Sequence, residues 1–351
     1  MCGPESWSGH LTNNPSITLR FSVMHVSRIL LGTILCLIGT LAHAAGLRFV
    51  EIPADVAGPA MKGAIWYPCP APPIQFDLDG WTLRAARDCP FSGEKLPLVV
   101  ASHGNGGSML VHHDLAETLA DAGFIFAAID HPGDSTPDRS RIADLSVHVE
   151  RPTDIKRLID FMLDKSPVAS RIDARRIGFF GFSAGGYTGL VLIGANPDWA
   201  TDLCQNSPAA SACAEILRNE FHAQPLVHDW RIKAAVIADP ACCFFRADSF
   251  AAVKAPVQLW ASEHGGRGLP TTNPHISPDS AALIDRNLPG KHEYHVVPNA
   301  GHFAFLPPCS PELVTGFAEG CTDAPGFDRA EFHHVFNSMV LSFFHANLGV
   351  K

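Results

Sequence analysis

Arg176-Ile177-Gly178-Phe179-Phe180-Gly181-Phe182-Ser183-Ala184-Gly185-Gly186 is the stretch around which the rest of the chain arranges itself. Its first half is a short, almost wholly apolar run, the pattern of a strand buried on both faces. From Gly185 to Ile193 the pattern suits a helix. Between them Ser183 stands with a glycine two residues before it and another two residues after it. A sharp strand-to-helix turn needs that arrangement, because the chains on either side pass too closely for side chains. A serine held there is offered as a nucleophile, and the stretch therefore predicts serine-hydrolase chemistry on a strand-turn-helix unit.

Working outward, the same alternation recurs. Leu96 to Ser102, Phe124 to Asp130, Ala234 to Ala238, Val257 to Ala261 and Tyr294 to Val297 are short apolar runs. Leu110 to Ala122, Thr153 to Asp164, Asp279 to Asn287 and Ala330 to Leu348 carry helical spacing. Strands alternating with helices predict an α/β fold, a mostly parallel central sheet flanked by helices on both faces. Leu47 to Ile52 and Gly63 to Tyr67 read as an antiparallel ribbon leading in. Residues 196–229, rich in Pro, Asn and Asp, interrupt the alternation and are expected to form a cap over the site.

Acyl transfer needs a nucleophile, a base, a group that orients the base, and donors for the developing oxyanion. His103-Gly104-Asn105-Gly106-Gly107 follows a strand directly and supplies a glycine-rich turn. The backbone N–H of Asn105, with that of Ala184, is expected to form the oxyanion hole. The base should lie late in the chain, after the last strand. Of eighteen histidines, His302 in Asn299-Ala300-Gly301-His302-Phe303 has that position, and Gly301 is expected to permit a tight loop there. Two carboxylates, Asp239 and Glu263, stand at the carboxyl ends of strands and fit the chain order nucleophile, acid, base.

The N-terminus reads as a secretory signal. Met24 to Arg28 gives a basic lead, Ile29 to Leu41 an apolar core of about 13 residues, and Ala42-His43-Ala44 a small-x-small cleavage site. That core is shorter than the roughly 20 residues of a membrane span, so no stable span is expected after cleavage. Residues 1–44 are thus extension and signal, and 45–351 the folded domain, periplasmic or secreted. Of ten cysteines, setting aside Cys2 and Cys36 leaves eight, an even number that suits disulfides in an exported chain. Short-range pairs Cys69 to Cys89, Cys204 to Cys213 and Cys309 to Cys321 would each close a loop. No C-x-x-C pair occurs, which speaks against zinc. The net charge of −9 leaves no basic footprint for nucleic acid.

Taken together, Ser102 to Gly107, Asp130-His131-Pro132-Gly133, the elbow at Ser183 and the late Gly301-His302 resemble the α/β-hydrolase family. More narrowly, from about Gly46 onward the chain is similar to the branch of plasma-type platelet-activating-factor acetylhydrolases and bacterial predicted dienelactone hydrolases. The resemblance implies carboxylic-ester hydrolysis through an acyl-serine intermediate, with no metal or organic cofactor and with a small-molecule or lipid ester as partner. In that branch the acid lies after the earlier strand, matching Asp239, and a non-catalytic Ser-Glu pair matches Ser262-Glu263. This chain departs from true dienelactone hydrolases in carrying serine where they carry cysteine. It departs from many α/β-hydrolases in placing Gly265 nine residues after Pro256, where their acid stands. A different acyl-serine enzyme, an acyltransferase or peptidase, and a non-catalytic hydrolase-like binding protein are the alternatives.

Overall fold

The structure is a computed structural model, and it describes residues 44–142, 144–199, 215–218, 226–241, 244–266 and 278–349. The expected signal segment, the Cys204 to Cys213 pair, Cys242 and Cys243, and most of the expected cap lie outside the described residues.

Ten strands form one sheet in the order β10-β9-β8-β7-β5-β6-β2-β1-β4-β3. They are β1 Ala44–Ile52, β2 Met61–Cys69, β3 Ile74–Leu78, β4 Trp81–Arg87, β5 Leu96–Ser102, β6 Ile125–Ile129, β7 Ile172–Phe182, β8 Ile232–Ala238, β9 Val257–Ser262 and β10 His292–Val297. From β6 to β10 every ladder is parallel, whereas β2 pairs antiparallel with both β1 and β6. The central strands β5 to β9 are almost wholly apolar because helices cover both faces. The two faces accordingly carry separate buried clusters, one around Ile159, Tyr187 and Phe250, the other around Phe180, Phe305 and Phe336.

Six helices of α type are described: α1 His113–Asp121, α2 Leu145–Asp164, α3 Ala184–Leu192, α4 Pro278–Asn287, α5 Pro311–Gly316 and α6 Arg329–Leu348. Helix α2 starts eight residues before the expected Thr153 and runs through Pro152. Proline in a helix interior removes a donor and argues for a boundary. Here buried side chains on that turn, Arg151 and Asp154, are tied into the core and hold the helix together. The β3–β4 hairpin had no counterpart in the sequence reading, although Ile74 to Leu78 and Trp81 to Ala85 alternate apolar and polar residues about Asp79-Gly80.

Two of the expected disulfides are present, Cys69–Cys89 and Cys309–Cys321. The first joins the end of β2 to the chain just after β4. Among the described residues no helix is long and apolar enough to cross a membrane.

Candidate active site

Strand β7 ends at Phe182, helix α3 begins at Ala184, and Ser183 joins them at φ 57° and ψ −118°. That backbone conformation is costly for a residue with a Cβ and persists only when its surroundings over-determine it. They do. The Ser183 N–H donates to the Ala238 carbonyl at 3.0 Å, and its own carbonyl accepts from Ala241 at 3.0 Å and Tyr187 at 3.1 Å. The flanking glycines are required by contact: a Cβ on Gly181 would lie 2.2 Å from the Gly185 carbonyl oxygen, and one on Gly185 only 1.8 Å from that of Ser102.

His302 approaches from a short 3-10 turn, His302–Phe305, after β10. Its Nε2 is 3.0 Å from Ser183 Oγ and its Nδ1 is 2.7 Å from Asp239 Oδ2. With Nδ1–H donating to the carboxylate, Nε2 carries the lone pair that accepts from the serine hydroxyl. The imidazole stacks on Phe182, ring centres 4.6 Å apart, and the His302 backbone N–H donates to the Gly265 carbonyl at 2.9 Å. So Gly265, standing where many relatives of this fold carry an acid, contributes a backbone acceptor instead. Gly301 proves not to need its freedom: its φ is −92° and a Cβ there would meet nothing within 4 Å. The left-handed residue in this loop is Asn299, at φ 59°.

Asp239 follows β8 at φ 41°. Its Oδ1 accepts from the Ser262 N–H at 2.9 Å and its Oδ2 from the Ser262 hydroxyl at 2.7 Å, besides the imidazole. Glu263 is exposed and is turned elsewhere, accepting from the Asn299 N–H at 2.6 Å. The structure thus brings Ser183, His302 and Asp239 together and keeps Glu263 out of that group.

The turn after β5 passes directly over Ser183, since a Cβ on Gly104 would lie 3.3 Å from Ser183 Cβ. Gly106, at φ 65°, closes the bend. The Asn105 side chain donates to Asp134 Oδ1 and to the Ile142 carbonyl, both at 3.0 Å, leaving the backbone as its contribution to the site. Neither the Asn105 N–H nor that of Ala184 has an acceptor among the described residues.

Beneath this turn lies a buried polar network that the sequence reading did not anticipate. Arg151 pairs with Asp134, donates to the His103 carbonyl, and reaches Ser102 Oγ at 3.2 Å. Ser102 Oγ is 2.9 Å from His131 Nε2, whose Nδ1 is 3.0 Å from Asp154 Oδ2. Asp134 also accepts from the Gly106 N–H at 2.7 Å. Burial, with the Arg151 charge beside it, holds the His131 imidazole neutral well below its ordinary range, and burial raises the Asp154 carboxyl to about 7. This is a second Ser-His-Asp chain, but Ser102 is 0% exposed against 5% for Ser183. It ties α2 to the turn and offers no nucleophile to solvent. Only the Asp130-His131-Pro132-Gly133 motif hinted at it, because its other members are scattered from Ser102 to Asp154.

A cleft of about 710 Å³ opens beside the turn, lined by Gly104, Asn105 and Phe182 on one side and Phe303 and Leu313 on the other. Among the described residues no group of three or more His, Cys, Asp or Glu side chains could hold a metal ion.

Comparison with known proteins bears on the fold that carries this geometry. The family described as serine aminopeptidase, S33 matches residues 93–238, which hold the turn after β5 and the Ser183 elbow. A ferulic acid esterase from Streptomyces cinnamoneus superposes with TM-score 0.58 at 20% identity, over 90% of this chain and 92% of that one. A dienelactone hydrolase from Anabaena variabilis gives TM-score 0.48 at 16% identity, over 87% of this chain and 99% of the other. No curated protein matches the sequence. The family match over residues 93–238, the order of the parallel strands and the strand-turn-helix at Ser183 agree: the chain has an α/β-hydrolase fold and is similar to that family over this stretch.

Proposed function

We propose that the protein is a serine hydrolase that cleaves carboxylic esters through an acyl-serine intermediate. The observation that carries this reading is the continuous hydrogen-bonded chain Ser183 Oγ, His302, Asp239, at 3.0 and 2.7 Å. His302 Nε2 takes the serine proton as Oγ attacks the ester carbonyl, and Asp239 stabilises the imidazolium that forms. The oxyanion is received by the Asn105 and Ala184 N–H groups, the latter at the N-terminus of α3, where the helix dipole adds positive potential. His302 then gives its proton to the departing alcohol, and a water repeats the cycle to release the acid. No step calls on a metal or organic cofactor. The two disulfides support an oxidising compartment, periplasmic or extracellular.

Turnover of p-nitrophenyl acetate and butyrate by the exported protein, beside Ser183→Ala, tests the reading. The substitution should lower kcat by up to about 10⁶-fold while the fold survives. Undiminished esterase activity in that variant would overturn it. The serine aminopeptidase match favours peptide bonds as the second reading, and turnover of aminoacyl p-nitroanilides with no ester turnover would select it.

A further inference from the structure

The cleft beside Ser183 is bounded on part of its rim by elements outside the central parallel strands. The turn of the β3–β4 hairpin, Asp79 to Trp81, contributes to the lining, as does the adjoining α5 with Phe317 beyond it. These two segments are latched together. Ser310 Oγ, which caps α5, donates to the Gly80 carbonyl at 2.5 Å, and Leu313 packs so closely on Gly80 that a Cβ there would lie 2.9 Å from Leu313 Cγ. Each is also stapled, the hairpin by Cys69–Cys89 and the α5 segment by Cys309–Cys321. Disulfides limit the excursions of short, weakly packed segments, so the cleft keeps its shape.

Its lining includes four aromatic rings beside aliphatic side chains. Trp81 and Phe182 are among its lining, and Phe303 meets Phe317 edge to face with ring centres 5.3 Å apart. Phe182 and Phe303 are also the two rings packed on the His302 imidazole, so the cleft runs up to the catalytic group. Its charged members are unbalanced, with Asp79, Asp130 and Glu312 against Arg139.

We infer that this cleft binds the larger of the two groups flanking the scissile ester, and that it selects an uncharged, ring-bearing group. Aromatic walls bury a ring's apolar area and engage its edges and faces, and a net negative lining disfavours a carboxylate on the same ring. The inference rests on the acyl-serine reading and adds the substrate class to it.

The test compares methyl acetate, benzyl acetate, methyl phenylacetate and the para-carboxylate forms of the two ring esters, titrating released acid. At least one neutral ring ester should exceed methyl acetate in kcat/KM by about tenfold or more, the scale of one buried ring. Its para-carboxylate form should lose about tenfold of that. Leu313→Trp, which fills the cleft, and Phe317→Ala, which removes one wall from its rim, should each reduce the ratio of ring ester to methyl acetate severalfold. Because the readout is a ratio, a partly folded variant does not mimic the effect. Equal kcat/KM for methyl and ring esters, preference for the carboxylate form, or an unchanged ratio in both variants would overturn the inference. Labelling of Ser183 by a small fluorophosphonate separates the two failures: label without ring selectivity sinks only the cleft, and no label sinks the acyl-serine reading beneath it.

Discussion

At the scale of single residues, the difference between Asp239 and Glu263 is one of where each carboxylate finds its donors. Asp239 turns inward at a left-handed backbone position and receives the imidazole together with both donors of Ser262. Glu263, one residue beyond Ser262, faces outward and fastens the Asn299 loop. Asp239→Asn keeps the shape but exchanges an acceptor for a donor at Nδ1, which favours the wrong tautomer. Its kcat should fall about 10³-fold or more, whereas Glu263→Gln should lose little. Steady-state kinetics on one ester decide between them, and the reverse order would move the acid to Glu263. Which carboxylate reaches the histidine was not legible from local sequence, where both stand after a strand. Resemblance to the acetylhydrolase branch tipped the choice toward Asp239. The reason lies in a backbone φ and in a partner 23 residues away, Ser262, neither of which leaves a periodic trace.

At the scale of elements, the elbow was legible because its constraint is local. Two glycines spaced about a serine are demanded by backbone oxygens that approach to 2.2 and 1.8 Å of a notional Cβ. Gly185→Ala would therefore have to part α3 from the end of β5. We expect a loss of more than about 4 kcal/mol, which marks a backbone clash rather than an ordinary core change. Gly301→Ala, beside His302 in open space, should be close to neutral in thermal melting. Equal melting temperatures for the two variants would contradict this account of the elbow. The β3–β4 hairpin carries a local signal too, since Ile74-Gln75-Phe76-Asp77-Leu78 and Trp81-Thr82-Leu83-Arg84-Ala85 alternate apolar and polar residues about an Asp79-Gly80 turn with both φ positive, but it lies outside the strand-helix alternation that marks the rest of the fold. Helix α2 was read short because Pro152 is a strong local stop, overridden by side chains that engage partners as distant as Ser102.

At the scale of the whole molecule, the imidazoles buried beneath and beside the turn after β5 carry a cost in acid. His103, His112 and His131 are all held below the ordinary histidine value of 6.5, chiefly by burial, His112 down to about 3. The folded state keeps them neutral while the unfolded chain binds their protons. Stability is therefore full above pH 6.5 and is lost as pH falls, by up to about 1.4 kcal/mol per unit for each. Asp154, raised to about 7, works the other way between pH 4 and 7 and offsets one of the three. Urea unfolding at pH 7, 6 and 5 should show a steady fall in stability of up to about 3 kcal/mol per unit below pH 6. A flat or rising profile would mean that these imidazoles are not held neutral in the fold.

The proposed function makes one central claim: of the two Ser-His-Asp chains among the described residues, the one ending at the less buried Ser183 does the chemistry. Treating the native protein with a fluorophosphonate and mapping the adduct by peptide mass analysis tests it directly. A single adduct on Ser183, absent from Ser183→Ala, is the predicted result. An adduct on Ser102, or none on the folded protein, would contradict it.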